Sequence, residues 1–102
     1  MKRRFINQRL IPSAIEPRSV VVEPTPATNE YTMWSSTQVP HFVQIFISLT
    51  AGVPQSSLRV IAPDVGGGFG SKLDVYAEEA IGVVLAKKLG VPVKWTETRS
   101  EN

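Results

Sequence analysis

The residues best suited to chemistry form one short run, Gly66-Gly67-Gly68-Phe69-Gly70-Ser71-Lys72. Four glycines in five positions let the backbone reach positive φ and approach a bound molecule without Cβ obstruction. Amides at the start of a following helix would point at that molecule and favour an anion such as phosphate. Two phosphate-binding patterns can be tested against the run. A P-loop requires glycine directly before the lysine, and here Ser71 separates Gly70 from Lys72. A dinucleotide fingerprint begun at Gly66 requires glycine at its sixth place, which is Ser71. Both patterns fail, so a nucleotide is not the natural ligand, and a nucleotide-binding α/β domain is the weaker reading. A plainer reading is a tight turn in which Phe69 plugs the core.

Three other side chains qualify. Gln38 falls near the start of an apolar helical pattern, where an amide can reach a ligand or simply face solvent. His41 follows on the same stretch and is the sole histidine, so it cannot build a histidine metal site alone. Lys72 is either a phosphate ligand or a surface charge. There is no cysteine, which excludes a disulfide framework, a thiolate zinc site, an iron–sulfur site and a cysteine nucleophile within this chain. The net charge is +2, and much of the excess sits in Lys2, Arg3, Arg4 and Arg9. A short basic end of this kind is a solvated terminus, and no nucleic acid partner is expected.

The elements that position these groups follow from pattern and punctuation. Residues 1–17, punctuated by Pro12 and Pro17, read as a connector, and 18–102 as the domain proper. The β-branched run in Ser19 to Glu23 predicts a buried strand, and residues 24–29 a turn-rich loop. Glu30 to Ser35 alternates, with Tyr31 and Met33 on one face, and returns as the second strand of a hairpin. Val39, Phe42, Val43, Phe46 and Leu49 then recur at helical spacing, with Ser36 or Thr37 as the cap and Gly52 as the stop. Leu58 to Ala62 reads as a third strand. A second helix is expected from Leu73 to Leu89, with Ala77, Ile81, Val84 and Leu85 as its buried stripe. Its acids lie early and Lys87 and Lys88 late, as the helix dipole favours. Gly90-Val91-Pro92 repeats the exit Gly52-Val53-Pro54, and Val93 to Thr96 forms the fourth strand.

The expected class is α/β: a β-hairpin followed by two helix–strand units on a mixed sheet. A chain of 102 residues makes one modest core and cannot enclose a large cofactor unaided. The two apolar helices want more partner surface than four short strands offer, so the segment is expected to expose apolar area. No transmembrane segment is expected, and no apolar run follows the basic start as a secretory signal would require, which leaves the cytoplasm as the default compartment.

Three stretches together carry a resemblance: Trp34-Ser35-Ser36-Thr37-Gln38-Val39-Pro40-His41, Val65 through Lys72, and Lys94-Trp95-Thr96-Glu97-Thr98-Arg99-Ser100-Glu101. In order and spacing they resemble the molybdenum hydroxylase family of xanthine dehydrogenases, aldehyde oxidases and aerobic carbon monoxide dehydrogenases. The match looks closest to the large molybdenum subunit of the carbon monoxide dehydrogenase type.

The resemblance implies part of a molybdopterin-binding domain, and a fragment of a longer large subunit. It implies that Gln38 hydrogen-bonds the apical oxo group and that Gly67, Gly68, Phe69 and Gly70 lie against the pterin and its metal end. The metal's ligands are the dithiolene and oxo groups in that family, so no side chain here is expected to bind molybdenum. No catalytic residue is expected in this segment either, because the family's catalytic glutamate lies further downstream. Leu73 stands where purine-oxidising relatives carry a glutamate, which disfavours a purine and suits a small or apolar substrate. The implied reaction is an oxidation with water as oxygen source. The implied cofactor is the cytosine dinucleotide form of molybdenum-molybdopterin. FAD would lie on a medium subunit and iron–sulfur clusters on a small subunit, with copper only in a true carbon monoxide oxidiser. The competing reading from another class is a non-catalytic binding or assembly module that keeps the fold.

Overall fold

The computed structural model describes residues 2–102. Among them the order is β1 (Ser19–Thr25), β2 (Glu30–Ser35), α1 (Pro40–Ala51), a single 3-10 turn (Gln55–Ser57), β3 (Leu58–Ile61), α2 (Ala77–Leu89) and β4 (Val93–Thr96). They form one four-stranded sheet in the order β3-β2-β1-β4. β1 is antiparallel to both β2 and β4, whereas β2 and β3 are parallel, so the sheet is mixed. The hairpin and the two helix–strand units are as the sequence predicts, and the class is α/β.

The parallel pair exists because α1 carries the chain back to the end of the sheet where β2 began, and a crossover of that length is what parallel strands need. α2 then spans from β3 at one edge to β4 at the other, touching β1 and β4 and packing beside α1. Val20 and Val22 of β1, Tyr31 and Met33 of β2, and Leu58 of β3 point into the core, where they meet Val43 and Ile47 of α1 and Val83 and Ala86 of α2. Both helices stop as expected. Gly52 at φ 62° and Gly90 at φ 68° take the left-handed conformation, and their amides donate to Ser48 O and Ala86 O.

Four expectations need correction. β1 continues through Pro24 to Thr25, into the stretch read as loop. Pro24 is tolerated because β4 pairs only as far as Val22, so on that side no partner strand needs the missing N–H. Neither Ser36 nor Thr37 caps α1: the cap position is Val39 with Pro40 as first residue, Thr37 Oγ1 accepts from Val39 N, and Ser36 Oγ accepts from Ser19 N. α2 starts at Ala77 instead of Leu73, because the Glu79 carboxylate accepts the Tyr76 amide at 3.0 Å and fixes the first turn there.

The fourth correction concerns which helix faces are buried. Of the stripe predicted for α1 only Val43 is fully buried, and Phe42, Phe46 and Leu49 face out. On α2 the predicted stripe lies on the outer surface, and the face on the sheet is Glu79, Gly82, Val83 and Ala86. A Cβ at Gly82 would stand 3.2 Å from Val22 Cγ2, so the helix lies too close to β1 for large side chains. The larger aliphatics therefore occupy the opposite side. Among the described residues no helix is long and apolar enough to cross a membrane.

Candidate functional site

The loop between β2 and α1 and the turn after β3 meet at one end of the sheet. Gln38, at the end of the first, is tied to the second by three hydrogen bonds. Its amide donates to Lys72 O at 2.9 Å, and its side-chain Oε1 accepts from Gly70 N at 3.1 Å and Lys72 N at 3.4 Å. Two N–H donors on one oxygen fix the orientation of the carboxamide, because the NH₂ end could accept neither. Among the described residues Nε2 has no hydrogen-bond partner. Gln38 is exposed, so this donor is presented to whatever lies beyond.

The glycines divide the work of the turn. Gly67 at φ 97° and Gly70 at φ 92° adopt backbone conformations that a side chain would strain. Gly68 has no such φ, but a Cβ there would come within 2.6 Å of Gln38 Cδ. Phe69, between them, sits at φ 51° and is 74% exposed. The reading in which it plugs the core is therefore wrong. A non-glycine residue held in the left-handed region with its ring in solvent is strain of the kind found at ligand sites. The amides of Gly67, Gly68 and Phe69 make no hydrogen bond among the described residues, which leaves three successive donors on the turn. Ser71 closes it, with its amide and hydroxyl both donating to Gly68 O, and Tyr76 Oη donates to Ser71 O.

The structure thus gathers Gln38, Gly67, Gly68, Phe69 and Gly70 in one place. His41 is not with them: it is exposed and lines a separate groove along β2 and β3 with Gln44 and Arg59. Lys72 is 1% exposed, so it is no surface charge. Its Nζ lies 3.4 Å from Glu16 Oε1, within the stretch read as connector. Sequence reasoning missed Glu16, which carries no local signal, and it missed how firmly this stretch is held. Ala14 is buried, and its carbonyl and that of Ile15 accept from Arg99 Nη2.

Behind the turn, Arg18 and Glu97 form a forked ion pair. Arg18 Nε and Nη2 donate to Oε1 at 3.0 and 2.7 Å, and Arg18 N donates to Oε2 at 3.0 Å. The guanidinium also stacks 3.5 Å from the centre of the Tyr76 ring. Burial pushes the Glu97 carboxyl up, but the bonds from Arg18 and Asn102 outweigh it and hold the group at about 2. Glu79 goes the other way. Burial raises its pKa above the ordinary carboxylate value despite hydrogen bonds from Ser35 and the Tyr76 amide.

Among the described residues the amides of Gly67, Gly68 and Phe69 and the Gln38 Nε2 are unpartnered neutral donors, a set suited to an acceptor-rich ligand. The family model described as the molybdopterin cofactor-binding domain matches residues 1–102. The carbon monoxide dehydrogenase large chain of Afipia carboxidovorans is 42% identical over 101 residues, which is 99% of this chain and 12% of that one. The nicotine 6-hydroxylase large subunit of Paenarthrobacter nicotinovorans is 39% identical over 94 residues, 92% of this chain and 12% of the relative. Among solved structures, a Cu,Mo-carbon monoxide dehydrogenase superposes with a TM-score of 0.85 at 43% identity, covering 89% of this chain and 11% of the other. Quinoline 2-oxidoreductase from Pseudomonas putida 86 gives 0.84 at 36% identity, covering 86% and 11%. The chain therefore spans about an eighth of the length of these relatives. By sequence and fold, the chain belongs to the molybdopterin cofactor-binding domain family, the kind of domain found in the large subunits of molybdenum hydroxylases.

Proposed function

We propose that this chain forms one wall of a molybdenum-molybdopterin site in an oxidoreductase of the molybdenum hydroxylase family. The observation that carries the reading is the Gln38 carboxamide, with its oxygen fixed by Gly70 and Lys72 and its nitrogen left to donate outward. Gln38, Gly67, Gly68, Phe69 and Gly70 are the residues that hold the cofactor. When bound, that group supplies the two-electron oxidation, with water as the source of oxygen and the cytosine dinucleotide as its form.

The chain's own contribution is orientation and electrostatics. Gln38 Nε2 donates to an oxo acceptor, and the amides of Gly67, Gly68 and Phe69 donate to acceptors on the pterin side. These donors are held by the fold itself, so they would need little reorganisation to receive the group. The chain provides no catalytic base; that role falls to a carboxylate elsewhere in the parent subunit. Leu73, half exposed beside Phe42, Phe46 and Val75, gives the neighbouring surface an apolar character suited to a small or apolar substrate instead of a purine.

In this reading residues 1–17 are a connector and 18–102 part of the cofactor-binding domain. The partners are the rest of the large subunit, an FAD-carrying medium subunit and an iron–sulfur small subunit, in the cytoplasm. Copper enters only if the parent oxidises carbon monoxide. The test is to purify the full-length parent, measure molybdenum per protein and identify the released organic cofactor by fluorescence. Pterin and near-stoichiometric molybdenum are expected; a bound nucleotide with no pterin overturns the reading.

A further inference from the structure

Lys72 heads the fully buried side chains in size, and its ammonium makes no hydrogen bond among the described residues. Its carboxylate partner is Glu16, with Nζ 3.4 Å from Oε1. Glu16 in turn grips the first glycine of the turn. Its Oε2 accepts the Gly66 amide, and its own amide donates to Gly66 O at 3.3 Å. A Cβ on Gly66 would stand 2.7 Å from Glu16 Cβ, so only glycine lets the two stretches of backbone come this close. At the other end of the turn the main chain of Lys72 holds Gln38, through Lys72 N to Gln38 Oε1 and Gln38 N to Lys72 O.

One buried residue thus faces both ways, with its side chain on Glu16 and its main chain on Gln38. Removing an ammonium from water is costly unless a counter-charge is close. A turn that needed only to reverse direction has no use for that cost. We propose that the Glu16–Lys72 ion pair is a positioning device: it presses the chain before β1 onto Gly66 and so sets the glycine turn, and through Lys72 the Gln38 carboxamide, in the geometry that receives a ligand. The identity of that ligand rests on the cofactor reading above; the clamp itself does not.

The two partners are not equivalent. The Glu16 side chain is one-third exposed and can be hydrated if its partner is lost, whereas Lys72 cannot. Glu16→Gln should therefore loosen the turn more than Lys72→Met, and the double variant, which removes both charges, should be tighter than Glu16→Gln alone.

The test is hydrogen exchange, resolved to single amides by fragmentation, on the cofactor-free full-length subunit. Gly70 is the amide to follow, because it donates to Gln38 and, among the described residues, forms no hydrogen bond with either member of the pair. Glu16→Gln is expected to speed exchange at Gly70 by about tenfold, and Glu16→Gln with Lys72→Met to return it to within about threefold of the parent. Unchanged exchange at Gly70 in Glu16→Gln overturns the proposal, as does a double variant no tighter than the single one. Molybdenum per protein, measured in the same variants after loading, separates the two readings. Faster exchange with undiminished molybdenum upholds the clamp and counts against the cofactor assignment.

Discussion

Gly68 lies against Gln38 with no room between them for a methyl group, since a Cβ at Gly68 would stand 2.6 Å from the Gln38 carboxamide carbon. The atoms in the way belong to the end of a flexible side chain, so the fold can accept Gly68→Ala by displacing Gln38. That displacement breaks the bonds from Gly70 N and Lys72 N to Oε1, which are worth about 1 kcal/mol each at most. The expected outcome is a small loss of thermal stability, about 1–2 kcal/mol, with a much larger loss of bound molybdenum in the full-length enzyme. Equal molybdenum content in the variant and its parent would show that the Gln38 position does not matter to the ligand.

Substitutions of Gln38 itself separate its two functions. Gln38→Glu keeps an oxygen for the Gly70 and Lys72 amides but removes the Nε2 donor, whereas Gln38→Ala removes both. Loss of one preorganised donor to a developing charge typically lowers turnover by about 10²–10³. Both variants should fall in turnover by that order, and Gln38→Ala should fall further in retained cofactor than in protein yield. Undiminished turnover in fully loaded Gln38→Ala would remove this residue from the site.

Phe69 sits in the left-handed region at φ 51°, 74% exposed and with its ring edge over Gly67, which strains the fold for little packing gain. Phe69→Gly relieves roughly 1–2 kcal/mol of that strain and forfeits about half to one through greater freedom of the unfolded chain. The variant should be as stable as its parent or slightly more so in a urea titration, while cofactor retention decreases. A clear loss of stability would mean that the ring packs where the structure leaves it exposed.

The Arg18–Glu97 pair sets an acid limit on stability. The folded carboxyl is held at about 2 and its ordinary value is 4.5. The stabilisation it gives is complete above pH 4.5 and is lost progressively as the pH falls from there toward 2. Glu79, raised by burial, has the opposite sign: protonation favours the folded state, and so softens the loss. In urea titrations across this range, Glu97→Gln should flatten the acid limb and reduce stability at neutral pH by about 2 kcal/mol. An acid limb identical to the parent's would assign the loss to other carboxylates.

The outward apolar faces give the last prediction. Phe42, Phe46, Ile81 and Val84 are each about half exposed, and with Leu85 and Leu49 they place large aliphatic and aromatic surface on the side of the helices away from the sheet. Alone in solution the 102-residue chain should self-associate in the micromolar range, seen as a mass that rises with concentration in light scattering. Phe42→Lys with Ile81→Lys should shift it toward monomer. A monomeric parent at all concentrations would show that these faces do not pair.

Local rules, acting on neighbours in sequence, sufficed to place most of the secondary structure. The β-branched run at Val20 to Val22, the alternation from Tyr31, and the glycines at 52 and 90 gave strands, hairpin and helix ends, because propensity, pleat and left-handed caps depend on residues close along the chain. The composition of the glycine run, read with Gln38 and the stretch from Lys94, was enough to name a family and to propose five site residues, which the fold gathers in one place. Which side of each helix is buried did not follow, because periodicity weighs the size of apolar residues while the sheet admits only what fits; Gly82 against Val22 favours small side chains over Ile81 and Leu85. Lys72 read as a surface charge or an anion ligand, since nothing within several residues of it reveals a carboxylate 3.4 Å away. That contact joins a stretch before the first strand to a turn after the third. Only the folded chain brings them together, and with them the oxygen that anchors Gln38 and the nitrogen it leaves free.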